Sequence, residues 1–440
     1  GSENYEALAP AMRFLLPLAG DVMLAAMFRW FARGAYMLGV ARVMERIAYH
    51  QGHLTARGFV LQFFGAAIAI ISGHSVGREG PHVFLGAAAG SLLGQQFSLP
   101  NNTIRTLVAC GTAAGIGASF NTPLAGVVFA LEVVMMEYSV TSFIPVILAS
   151  VSATTLSNAI LGDDVAFSMS VVDIDSVRVM GLVLVLGFLV GTVSALLNHL
   201  LEIVAATMRP IAIWWRMLLA GATMGLIGVL VPQVMGIGYD TVQLALEGQV
   251  AVGLVAVLLA AKIVASCVSL GPGVPGGVIG PSLFIGAMAG ALVAEVVMLL
   301  DVAHALPVGT FALLGMGAAM SASLQAPLAG LTAMLELTDN PAIILPGMLA
   351  VVVSGITARE LFGKDSLFVT QLRAAGLDYR SNPVLQALRR RGVGSVMHRG
   401  FARTRAHLSL AEAQEVLAGG PEWLLVDPAP GPANDDDASS

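Results

Sequence analysis

Apolar positions fill long runs along this chain, at 12–32, 59–72, 106–134, 143–161, 179–206, 213–231, 250–270, 283–300, 310–337 and 343–361. Several approach about twenty residues, the length of a helix across the hydrocarbon core of a bilayer, and the ten-residue alternation of a membrane barrel strand does not occur. The pattern therefore predicts membrane helices. Two runs are broken internally, at Asn121-Thr122-Pro123 and at Gln325-Ala326-Pro327, and the first contains Asp21. A polar stretch covers 42–58, and the chain turns polar again after Leu361.

Between runs stand two glycine-proline stretches, Gly77-Arg78-Glu79-Gly80-Pro81 and Gly276-Gly277-Val278-Ile279-Gly280-Pro281. Each opens an apolar segment, FLGAAAG at 84–90 and FIGAMAG at 284–290, so each reads as the frayed start of a helix. Backbone N–H groups at such a start lack intrahelical partners and attract anions. Broken helices whose starts meet inside a membrane can make an anion site without a buried basic side chain. Glu79 lies inside one start, where its carboxylate would hold the place a permeant anion takes. Protonation or displacement would release it.

The two halves of the chain repeat. GTAAGIGASFNTPLAGVVFALE from Gly111 aligns with GMGAAMSASLQAPLAGLTAMLE from Gly315, and Pro81 and Pro281 lie 200 positions apart. An ordered series of motifs at a nearly constant offset marks a duplicated transporter architecture with its site between the repeats. RFLLPLAG at 13–20 pairs with RMLLAGA at 216–222, so the run 179–206 has no counterpart in the first half, and the expectation is either an N-terminally shortened chain or a protein whose first repeat lacks that helix.

Composition agrees: 56% of residues are hydrophobic, 11% are charged, and the mean hydropathy is +0.82. These values exclude a soluble domain. A net charge of −6 offers no general basic surface for nucleic acid. Cys110 and Cys267 lie in apolar runs and read as packing residues rather than a disulfide.

With these motifs in view, the chain resembles the CLC family of chloride channels and chloride/proton antiporters. The resemblance rests on GREGP at 77–81, GVPGGVIGP at 273–281, the ASFNTPLAGVVFALE block and LELTDN at 335–340, and spans about residues 12–375. It implies an all-α polytopic membrane protein built as two inverted repeats, dimeric, with an anion pathway in each subunit. It also implies Glu79 as the gating glutamate, with backbone N–H groups around Gly77, Arg78, Glu79 and Gly80, and at Val278 and Ile279, holding chloride. The expected layout is a first repeat at 1–170, a second at 171–375 and a cytoplasmic tail at 376–440. No cofactor is implied beyond the permeant ion.

Three departures from the family pattern bear on mechanism. Leu38 stands where the family has a serine hydroxyl, and Phe368 where it has a tyrosine, so two donors to a central anion are missing. Val133 stands where the antiporters carry an internal proton-passing glutamate. Glu137 is a candidate substitute relay. The reading that follows is passive chloride conduction gated by Glu79. Chloride/proton exchange, or transport of another small anion such as fluoride, is the alternative.

Other polar residues have plainer readings. Glu132 and Glu336 sit at equivalent places and suit structural hydrogen bonding. Arg78 is structural or electrostatic. His50 and His53 lack a completing ligand set and read as a solvated loop, His74 and His82 as helix-end packing, and Met135-Met136 as apolar packing. Neither a paired His/Glu metal motif nor a Gly-x-Ser-x-Gly elbow supports an intramembrane enzyme.

Arg389-Arg390-Arg391 behind the last span argues for a cytoplasmic C-terminus. The segment 393–427 reads as strand, helix from about Ser409 to Leu417, and strand, and resembles the opening of a CBS domain. Nucleotide binding is not expected of this half motif, and 428–440 reads as a disordered acidic ending.

Overall fold

The apolar runs fold into helices, two of which continue through an internal proline, Pro17 and Pro145. A computed structural model of the chain describes residues 4–32, 38–137, 140–162, 167, 177–300, 308–377, 400–405 and 407–427. In the first half it places α1 (Pro10–Met27), α2 (Gly39–Tyr49), α3 (Ala56–Ile71), α4 (Glu79–Gln96), α5 (Asn101–Phe120), α6 (Pro123–Phe129) and α7 (Val140–Leu161). The second half holds α8 (Val177–Met208), α9 (Ile213–Leu230), α10 (Tyr239–Leu246), α11 (Val252–Leu270), α12 (Ile279–Leu299), α13 (Val308–Leu324), α14 (Pro327–Thr338), α15 (Ile344–Ile356) and α16 (Leu367–Ala374). Seven helical stretches among the described residues are long and apolar enough to cross a membrane.

The two internal breaks have one cause. Asn121 and Gln325 end α5 and α13 at φ of 57° and 55°, a left-handed conformation that closes a helix, and Pro123 and Pro327 then take the first helical positions of α6 and α14. The polar stretch 42–58 is less of a loop than its sequence indicates. Much of it is α2, whose apolar face, including Val43, Met44 and Ile47, is buried in the core. His50, read as part of a solvated loop, closes that helix with Nε2 3.0 Å from Glu45 Oε1.

Packing repeats as the sequence does. α5 packs on α4 as α13 packs on α12, α7 lies on α5 as α15 lies on α13, and α1 against α9 and α6 against α14 join the halves. α8 packs on helices of its own half, α11, α12, α13 and α15. The join between α6 and α14 is reciprocal. Glu132 takes the N–H groups of Leu328 and Ala329 at 3.1 and 2.8 Å, and Glu336 takes those of Leu124 and Ala125, both at 2.7 Å. Each repeat thus caps the exposed helix start of the other with a carboxylate, the structural role their sequence positions indicate. Replacing Glu336 by Ala removes two charge-assisted hydrogen bonds and should cost about 1.5–3 kcal/mol. A lowered thermal midpoint in detergent, partly restored in Glu336→Gln, is the expected measurement.

The C-terminal unit, Arg380–Ser440, is separate from the compact unit Gly1–Tyr379. Its described part pairs β1 (Phe401–Arg405) with β2 (Trp423–Asp427) in parallel across α17 (Leu410–Ala418). Ser409 and Glu412 form a capping box at the start of α17, and the Ser409 hydrogen bonds hold the Glu412 carboxyl below its usual range. Arg389-Arg390-Arg391, the 428–440 ending and the boundary at 170–171 lie outside the described residues.

Candidate functional site

The two glycine-proline stretches meet. Gly77 N–H donates to the Gly277 carbonyl and Gly277 N–H to the Gly77 carbonyl, both at 2.7 Å, which pins the start of α4 to the start of α12. The approach is possible only without side chains. A Cβ on Gly77 would stand 2.8 Å from Gly280 N, and one on Gly80 would stand 2.7 Å from Gly277 Cα. Of the N–H groups expected to face an anion, that of Gly77 is therefore committed to Gly277. The starts of α4 and α12, behind Arg78 and Val278, have no side-chain cap.

Glu79 lies fully buried at this junction. Its Oε1 accepts from the Tyr239 hydroxyl, and Arg78 Nε lies 3.8 Å away. Oε2 has no hydrogen bond of normal geometry, although it sits so close to the glycine backbones that a Cβ on Gly77 would be 2.4 Å from it. A buried carboxyl oxygen held against the backbone of two uncapped helix starts occupies a position suited to an anion. Arg78 reaches outward, its Nη2 donating to the Ser119 carbonyl at 3.3 Å. One turn along α4, His82 Nδ1 lies 2.5 Å from Ser119 Oγ.

Leu38 and Phe368 stand at the starts of α2 and α16, which pack on each other. Phe368 is buried with its ring edge-on to Phe129 at 6.5 Å, and Leu38 is half-buried against the core. The surroundings there are apolar. Beside Ile279 an apolar cavity opens between the repeats, lined by the equivalent pairs Ile116/Met320 and Phe129/Ala333. Val133 is buried in the core, Glu132 beside it is committed to capping α14, and Glu137 lies half-buried where the chain leaves that segment through left-handed Met136.

Sequence reasoning missed Tyr239, Lys262 and the pairing of Asp21 with His74. Asp21 and His74, both fully buried, face each other at 3.3 Å, joining α1 to the loop that leads into α4. Tyr239 completes the cover over Glu79. Lys262 is fully buried on α11 and donates to the carbonyls of Val234, Gly236 and Ile237. The available signal was the same in the two charged cases: Asp21 and Lys262 each interrupt an apolar run, and an ionisable group inside a membrane span is expensive unless it is used.

Comparison with known proteins agrees with this arrangement. Residues 20–359 match the family described as voltage gated chloride channel. A ClcB-like chloride channel protein of Ralstonia nicotianae is 34% identical over 369 residues, which is 82% of this chain and 85% of that protein. The H(+)/Cl(−) exchange transporter ClcA of Klebsiella pneumoniae is 31% identical over 69% of this chain and 66% of its own length. Among solved structures, a slow cyanobacterial Cl−/H+ antiporter superposes with a TM-score of 0.76 at 23% identity, covering 84% of this chain and 88% of that one. A CLC-type fluoride/proton antiporter gives a TM-score of 0.69 at 22% identity, covering 82% and 88%. At these identities the superpositions establish the fold.

Proposed function

The chain belongs to the CLC family, and on that premise we propose that it moves a small anion, chloride first, across a membrane with Glu79 as the gate and protons moving in exchange. The observation that carries the reading is the buried Glu79 carboxylate, one oxygen on Tyr239 and the other over two helix starts, where it competes with a permeant anion for the same N–H groups. The anion contacts assigned to it are the backbone at Arg78, Glu79, Gly80, Val278 and Ile279. The functional unit is a homodimer in the plasma membrane with the C-terminus in the cytoplasm.

The sequence favoured passive conduction and held exchange as the alternative. Relatives named as exchangers, together with a gate built on a titratable group, reverse that order. Passive conduction remains the second reading, and Val133 is what favours it: a buried valine cannot pass a proton, and neighbouring Glu132 is occupied as a cap.

Reconstituted liposomes under opposed chloride and pH gradients separate the two. Exchange gives uphill proton movement driven by a chloride gradient alone, at a fixed ratio. Chloride running down its gradient without protons overturns exchange and leaves conduction. In the exchanger Glu137→Gln should abolish proton movement if Glu137 is the relay and leave it intact if protons travel another way. Leu38→Ser adds a hydroxyl at the start of α2 and should tighten central anion binding severalfold by calorimetry.

A further inference from the structure

We propose that Tyr239 is the latch of the gate, its hydroxyl holding the Glu79 carboxylate in the blocking position, and that Lys262 fixes the latch; the inference rests on the gating role of Glu79. Tyr239 comes from the second repeat and Glu79 from the first, so the contact spans the same junction as the Gly77–Gly277 pair. The tyrosine ring is confined on several sides. Phe167 meets it edge-on at 5.0 Å, Phe120 stands at 6.2 Å, and the Arg78 guanidinium lies 5.4 Å from the ring centroid. A ring so confined presents its hydroxyl to one place.

The backbone behind it is equally fixed. Tyr239 is the first residue of α10 and follows Gly238, at φ 83°, where a Cβ would stand 2.9 Å from the Phe284 ring and 3.3 Å from Lys262 Nζ. Lys262 donates to the carbonyls of Val234, Gly236 and Ile237 at 3.2, 3.0 and 3.1 Å, and its ammonium lies 4.8 Å from the Phe284 ring centroid. An ammonium buried on a membrane helix is tolerated because these carbonyls replace its water. What the lysine holds is the loop that delivers Tyr239. The first repeat anchors the equivalent place with the opposite hydrogen-bond polarity: Gln62, 200 positions earlier, accepts from the Gly39 N–H at 2.8 Å at the start of α2, the helix equivalent to α10.

A hydroxyl donor stabilises the charged carboxylate more than the protonated one, so it favours the closed, blocking form. Among the described residues, the ionisable groups around the carboxylate are Arg78 and His82 on its own helix side, Tyr239 from α10, and Lys262 from α11 behind the 234–237 loop. Tyr239→Phe keeps the ring contacts and deletes only the donor.

The test measures anion flux against pH in liposomes for the parent, Tyr239→Phe, Glu79→Gln and the double variant. A latch predicts that Tyr239→Phe raises flux at neutral pH about tenfold and moves the half-maximal pH up by about one unit. It also predicts that the double variant behaves as Glu79→Gln alone. Parent-like flux and midpoint in Tyr239→Phe, with Glu79→Gln still altering flux, would overturn the latch and leave the gate standing. An equal effect of the tyrosine change in the Glu79→Gln background would place the hydroxyl's action elsewhere and also overturn it. If Glu79→Gln itself changes nothing, the gate reading fails and the latch with it.

Discussion

Glu79→Gln passes anion at neutral pH about ten times faster than the parent or more, at a rate that no longer follows pH, and carries no protons with it. The carboxyl is buried and lies against the starts of α4 and α12, so in its charged form it rivals chloride for the same N–H groups. Glutamine keeps its shape and loses its charge. Hydrogen bonds to a charged group are worth about 1.5–3 kcal/mol, and each 1.4 kcal/mol is about a factor of ten, so a neutral side chain is displaced at least that much more readily. Glu79→Ala removes the side chain altogether and should also be independent of pH. Proton movement ends in both, because the carboxyl that takes up and releases the proton at the gate is gone. Unchanged flux and an unchanged pH profile in both variants would sink the assignment of Glu79 as the gate.

Gly111→Val should yield little or no folded protein. α4 and α5 cross with their backbones almost in contact: a Cβ on Gly111 would lie 1.9 Å from the Gly86 carbonyl oxygen, and one on Gly86 would lie 2.1 Å from the Gly111 carbonyl oxygen. Along the same pair, a Cβ on Gly90 would lie 2.2 Å from the Leu107 carbonyl oxygen. Small residues at such a seam are what let membrane helices approach closely, since lipid offers no hydrophobic drive for their association. Overpacking a core costs about 1–3 kcal/mol where side chains can yield. Here the obstacle is backbone, and moving it would shift the start of α4 and Glu79 with it. The second repeat provides the replicate, because a Cβ on Gly315 would lie 2.1 Å from the Gly286 carbonyl oxygen. Gly181→Ala is the control, with no atom of the described residues within 4 Å of the added methyl. Size-exclusion profiles in detergent should show loss of the folded peak for Gly111→Val and Gly315→Val and a parent-like peak for Gly181→Ala. A normal profile and melting midpoint for Gly111→Val would contradict the seam.

The membrane class, the duplication, the helix breaks and the two glycine-proline helix starts can all be read from residue order alone. Each of these is a local property: about twenty apolar residues make a span, a left-handed residue before proline ends a helix, and a repeated motif needs only comparison with itself. The same reading singled out Glu79 and assigned Glu132 and Glu336 their structural part. Which residues meet is set by the packing of distant helices. Gly77 and Gly277 are 200 positions apart, Glu79 and Tyr239 are 160 apart, and the caps at Glu132 and Glu336 reach 196 or more positions across the chain. No periodicity encodes such pairings. Tyr239 follows a Gly-x-Gly loop that looks like any connection, and α2 is hidden in a stretch whose charges mask a buried face. Lys262 shows the limit plainly. Its presence in an apolar run marks it as costly, but only the fold reveals that three carbonyls of one loop take up its charge, because an ammonium in a membrane is tolerated solely where distant backbone is brought to it.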